Sequence, residues 1–111
     1  MTIPLQVHFR DMVPLAGLEA AIRRRADALV RWTREVSRCE VTVESQDSRR
    51  HQGHEYRVKI HLRVPDAEFV AGDRQGNEDP TVAMHAAFAA LERQIEDWER
   101  RRRDARRQPA P

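Results

Sequence analysis

Residues 5–10, LQVHFR, alternate: Leu5, Val7 and Phe9 fall on one side, Gln6, His8 and Arg10 on the other. A period of two is that of a half-buried strand. After Pro14 the period lengthens. Leu18, Ile22, Ala26, Leu29, Thr33 and Val36 lie within one arc at 3.6 residues per turn, which predicts a helix over about 15–36. Alternation returns in CEVTVES (39–45), with Cys39, Val41 and Val43 inward and Glu40, Thr42 and Glu44 outward. The polar stretch QDSRRHQGH that follows predicts a loop. YRVKIHLRV (56–64) then places Tyr56, Val58, Ile60, Leu62 and Val64 on one face and Arg57, Lys59, His61 and Arg63 on the other. Pro65-Asp66 marks a turn. EFVAG (68–72) predicts a shorter strand with Val70 or its neighbours toward the core, and DRQGNED a further loop. Asp79-Pro80 signals a helix start, an Asp cap followed by proline at the first helical position. Met84, Phe88, Leu91, Ile95 and Trp98 form the seam of that second helix. The seam stops at Trp98, so beyond about residue 99 the helix is expected to project or fray.

The predicted order is β-α-β-β-β-α, an α+β fold. A helix separates the first two strands, so they can run parallel through a right-handed crossover. Short turns join the remaining strands, which makes them antiparallel. Two-sided alternation implies a sheet covered on one face only. A four-stranded mixed sheet with two helices packed on one face satisfies these constraints. No internal repeat and no second domain are visible. Residues 1–103 are expected to form a single α+β domain and residues 104–111 a basic disordered tail.

Composition narrows the function. The 111 residues are 40% hydrophobic and 34% charged, with a net charge of +2, so the excess charge must lie on the surface. Nineteen of the twenty basic side chains are arginine; Lys59 is the one lysine. Arginine suits phosphate recognition because its planar fork matches phosphate oxygens and stacks on bases. Cys39 is the single cysteine; it cannot form an internal disulfide, which points to a reducing compartment. No apolar run suits a signal peptide or a membrane span. The expectation is a cytoplasmic protein with no membrane partner.

Catalysis finds little support. The four glycines are scattered rather than gathered in a phosphate loop, and no G-x-S-x-G stretch occurs. Cys39 sits at a core-facing strand position, where a cysteine acts as a small hydrophobe. His51-x-x-His54 has the spacing of half a metal site but lacks a second pair. The reading is a non-enzyme with no cofactor, no metal and no small-molecule substrate.

Four cationic clusters remain: Arg23, Arg24, Arg25, Arg31 and Arg34 on the first helix; Arg49-Arg50-His51 in the loop; Arg93 and then Arg100 to Arg107 on the second helix; and the strand face of Arg57, Lys59, His61 and Arg63. One such cluster is ordinarily a solvated surface. Four on one small domain point to a polyanion, because each phosphate neutralised releases counterions. The strand-face bases have an alternative in Glu40, Thr42 and Glu44 on the neighbouring strand. If they pair there, the helices and the loop are left as the binding surface. Among these clusters the candidate RNA-binding residues are Arg23, Arg25, Arg31, Arg49, Arg50, Arg93, Arg100 and Arg101, of which Arg25, Arg31, Arg93, Arg100 and Arg101 are singled out by a resemblance to a known family.

Leu29-Val30-Arg31-Trp32, RRHQGHEYRVKIHLRVP (49–65) and NEDPTVAMHAAFAALERQIEDW (77–98) resemble, in order and spacing, the short ribosome hibernation-promoting factor and ribosome-associated inhibitor (protein Y) family. The resemblance covers about residues 4–103. It implies the β-α-β-β-β-α fold, similar to double-stranded-RNA-binding domains. It also implies a partner, the ribosomal RNA of the small subunit, and an action: occlusion of the mRNA and tRNA channel under stress or in stationary phase. Arg25 and Arg31 match basic positions of the family's first helix; Arg93, Arg100 and Arg101 match basic or polar positions of its second. Ala28, Ala90 and Asp97 stand where the family carries lysines, and Thr81 where it carries an aromatic. Those departures keep open an alternative, a protein-interaction or regulatory module without ribosome binding.

Overall fold

The structure is a computed structural model and describes residues 3–33, 35–48, 53–72 and 76–107. In chain order it contains β1 (Leu5–Arg10), α1 (Ala16–Asp27), a 3-10 turn (Ala28–Arg31), β2 (Arg38–Ser48), β3 (Gly53–Val64), β4 (Ala67–Ala71), β5 (Gly76–Asn77) and α2 (Pro80–Arg107). The sheet order is β1-β2-β3-β4, with the two-residue β5 pairing β3 beyond the end of β4. β1 runs parallel to β2, from Leu5 opposite Cys39 to Arg10 opposite Glu44. β2–β3 and β3–β4 are antiparallel. This is the expected α+β arrangement, with one short strand that the sequence pattern had placed in a loop.

One face of the sheet carries the core. Cys39, Val41 and Val43 of β2, Val58, Ile60 and Leu62 of β3, and Phe69 and Ala71 of β4 are buried there. Ile22, Ala26 and Leu29 cover it from the first helical segment; Met84, Phe88, Leu91 and Ile95 cover it from α2. In β4 the inward positions are Phe69 and Ala71, and Val70 faces solvent, so Val70's neighbours hold the core. Burial pushes the Cys39 thiol up to about 11. The neutral thiol is the form the fold favours. Its contribution to stability is therefore complete at neutral pH and is lost as pH rises from 9.0 toward about 11.

Three boundaries differ from the sequence reading. The first helix ends at Asp27, tightens into the 3-10 turn and is not helical at Thr33 or Val36. Trp32 N–H donates to Leu29 C=O at 2.9 Å, closing that turn. Val36 still packs against the core, from a backbone that is not helical. β2 and β3 extend into the stretch expected to be a loop, with Gln46 opposite Glu55, Asp47 opposite His54 and Ser48 opposite Gly53. Polar side chains do not prevent a hairpin when the backbone ladder continues. Finally, α2 runs to Arg107, so residues 104–107, expected to be a disordered tail, are helical. Arginine is a good helix former, and the i,i+4 pair of Asp97 with Arg101 at 2.9 Å reinforces the arm. The rest of that tail, residues 108–111, lies outside the described residues.

Asp79 caps α2 as its sequence suggested: its Oδ1 accepts Thr81 N–H at 2.8 Å. Gly72, just past β4, has φ +86 and lies against Ala87 of α2; an added Cβ would come within 2.6 Å of the Ala87 Cβ and collide with the Val58 carbonyl. Gly72→Ala combines a left-handed backbone with overpacking between sheet and helix. It is expected to cost about 2–4 kcal/mol, measured as a lower urea midpoint with the m-value unchanged.

Candidate nucleic-acid interface

α1 and α2 lie side by side on the covered face and run in the same direction. Arg25 of α1 meets His85, Phe88 and Glu92 of α2. One turn and a half further on, Arg31 and Trp32 share a cleft with Trp98 and Arg102. The carboxyl ends of both helical segments therefore point the same way, and Arg31 sits beside the start of the arginine arm. Cations at helix C-termini are also favoured by the negative end of the helix dipole.

The candidate arginines divide into two kinds. Arg23 is tied into the fold: its Nη1 donates to the Ile3 carbonyl at 2.8 Å and lies 3.5 Å from Asp27 Oδ1. Asp27 in turn accepts the Ile3 N–H at 3.3 Å. Arg23 therefore fastens the N-terminal segment to α1. Arg25 fills the space between the helices. It lies 3.4 Å from both Glu92 oxygens, 3.4 Å from His85 Nδ1 and 5.8 Å from the centre of the Phe88 ring, with its side chain 30% exposed. Its Nε is buried without a hydrogen-bond partner.

Arg31, Arg93 and Arg100 are of the second kind. All three are exposed, and among the described residues no ion pair engages them. Arg101 pairs with Asp97 yet remains 80% exposed, so its guanidinium can be shared with a second anion. Arg103, Arg106 and Arg107 continue the exposed arm. Arg34, Arg49, Arg50 and His51, which the sequence offered as cationic groups, lie outside the described residues.

The strand-face bases stand opposite the partners the sequence offered, but among the described residues their ion pairs run to Glu68 of β4 and none reaches Glu40, Thr42 or Glu44. The register sets Glu40 opposite His61, Thr42 opposite Lys59 and Glu44 opposite Arg57. Arg38 pairs with Glu40. Glu68 of β4 accepts from Arg63 at 2.8 Å and lies 3.2 Å from His61 Nε2. The His61 hydrogen bond, followed by the Arg63 charge, holds the Glu68 carboxyl below its usual range. That contribution is present above the ordinary carboxylate range and is lost as pH falls through the lowered value. The open sheet face is thus a mixed-charge surface, while arginines unpaired among the described residues project from the helical segments alongside exposed Glu19, Glu96 and Asp104.

Among the described residues no helix is long and apolar enough to cross a membrane, and no group of three or more His, Cys, Asp or Glu stands close enough to hold a metal ion.

A model of the family described as sigma 54 modulation protein / S30EA ribosomal protein matches residues 5–103. No curated protein sequence matches the chain significantly. Among solved structures, a ribosomal subunit interface protein from Coxiella burnetii superposes with a TM-score of 0.75 at 11% identity, over 87% of this chain and 98% of that one. The N-terminal domain of Thermus thermophilus Protein Y superposes with a TM-score of 0.68 at 16% identity, over 88% of this chain and 99% of that one. At these identities the superpositions speak to the fold.

Proposed function

The chain belongs to the sigma 54 modulation protein / S30EA ribosomal protein family, a ribosome-associated family, and from that premise we propose that it silences translation by occupying the mRNA and tRNA channel of the small ribosomal subunit. It acts by occlusion, with arginines on phosphates and no chemical step. The observation that carries this reading is the parallel placement of α1 and α2, which gathers Arg31 and the arginine arm at one end of the covered face.

Each exposed arginine replaces a condensed counterion on an RNA phosphate, so binding draws on counterion release and weakens steeply with salt. Arg31, Arg93, Arg100 and Arg101 are the direct contacts. Arg25 joins them only by giving up part of its hold on Glu92. Ala90 and Asp97 remove two cations from the family's pattern on α2, and the arm of Arg100, Arg101, Arg103, Arg106 and Arg107 restores positive charge one to three turns further along.

The reading is tested by cosedimentation with isolated small subunits across a salt series, with tRNA as competitor. Binding is expected to fall log-linearly with salt, with a slope of about −3 to −5 if four or five phosphates are engaged, and tRNA is expected to displace the protein. Binding indifferent to salt and to tRNA sinks the channel assignment. Capture of a discrete protein, without ribosomal RNA, favours the interaction-module alternative.

A further inference from the structure

We propose that the cleft between Trp32 and Trp98 accepts one unstacked RNA base, with guanine preferred. The proposal rests on the RNA-binding reading above and adds a recognition element to it. The cleft has a volume of about 330 Å³ and opens where the 3-10 turn, the β3–β4 turn and α2 meet. That is the small end of the range for ligand pockets. Both tryptophans line it, both are only half-buried, and they are the chain's only two.

The cleft is built to hold a flat group. Phe69 packs edge-to-face against Trp98, with ring centres 5.6 Å apart and planes at 80°, which fixes the orientation of the indole. The guanidinium of Arg102 already lies over the Trp98 ring at 4.5 Å. Its carboxylate neighbours, Asp66 and Glu99, are both 3.8 Å away, at the outer limit of an ion pair. A planar group thus rests in the cleft with weak tethers, and it can slide to sandwich an incoming ring. Trp32 supplies the second aromatic surface. Base–aromatic stacking is worth about 1–3 kcal/mol per base.

Charge decides what kind of ligand enters. Inside, Glu35, Asp66 and Glu99 face two arginines, Arg31 and Arg102. Three carboxylates repel a phosphate but accept hydrogen bonds from a base edge. Guanine presents an imino and an amino N–H side by side, the pair that one carboxylate can accept together. The flanking phosphates stay at the mouth, within reach of exposed Arg31. An arginine-rich peptide is the competing occupant for an acidic aromatic slot. Here it would have to approach past Arg31 and Arg102, which disfavours it.

The test uses the full chain and its intrinsic tryptophan emission, titrated with the RNAs UUGUU and UUUUU and with a pentaarginine peptide. UUGUU is expected to quench the emission and to bind about tenfold more tightly than UUUUU. Trp32→Leu and Trp98→Leu are expected to abolish that preference. Should either variant unfold, Glu35→Gln with Glu99→Gln, on solvent-accessible positions, is expected to remove the guanine preference while UUGUU still quenches. Equal binding of the two RNAs with unchanged tryptophan emission overturns the cleft and leaves ribosome binding standing. Quenching by pentaarginine and not by RNA also overturns it. Loss of all RNA binding together with loss of cosedimentation overturns the function beneath it.

Discussion

Replacing Arg31, Arg93 and Arg100 together with glutamate is expected to abolish cosedimentation with small ribosomal subunits at moderate salt, while far-UV circular dichroism and Tm stay close to those of the parent. The three side chains are exposed and make no ion pair among the described residues, so the fold loses little when they change. The RNA contact loses a great deal. Each reversal removes one neutralised phosphate and adds a repulsion in its place. The slope of log affinity against log salt should fall by about one per lost contact, close to three for the triple variant. Arg25→Glu makes the contrasting control. It would set a carboxylate against Glu92 and over the Phe88 ring in the half-buried space between the helices, so its first effect is on Tm. Unchanged binding of the triple variant near 150 mM salt would mean that other groups carry the contact.

The sequence announced the sheet because its two faces need different residues. The alternation of Val58, Ile60 and Leu62 with Arg57, Lys59 and His61 admits one register, since a slip of one residue would bury the bases. The seam of α2 was legible for the same reason: Met84, Phe88, Leu91 and Ile95 are all fully buried. The end of α1 was not. Thr33 and Val36 continue the helical arc, but the chain must turn by Arg38 to enter β2 beside β1, and tertiary geometry overrode the local period.

The division of the arginines into tied and exposed was only partly legible. Arg23 with Asp27 and Asp97 with Arg101 stand four apart, a spacing that flags a helical ion pair. Arg25 with Glu92 spans 67 residues, and the Arg23 bond to the Ile3 carbonyl spans 20. No local pattern announces such contacts. The approach of Trp32 to Trp98 is of the same kind, because each sits on its own element and only the parallel course of the helices brings them to one cleft.

Phe88→Ala should produce the largest loss of stability of any single substitution considered. Phe88 is completely buried, and Met84, Leu91 and Ile95 lie on the same inward-facing stripe of α2. Truncation removes the aromatic transfer energy and leaves a cavity that two helices and a sheet cannot collapse around, a cost of about 3–5 kcal/mol. For a domain of this size that is a large part of the total stability and corresponds to a fall in Tm of about 10–25 °C. A second loss accompanies the first. The Phe88 ring lies under the Arg25 guanidinium, 5.8 Å from its centre, so its removal lets water reach the Arg25–Glu92 pair, weakens it and loosens the side-by-side fit of the helices. Phe88→Leu keeps most of the volume and is expected to cost about half as much or less. If the alanine variant melted within a few degrees of the parent, the α2 seam would not be the keel of the core. The parallel helix placement on which Arg31 and the arginine arm depend would then need another support.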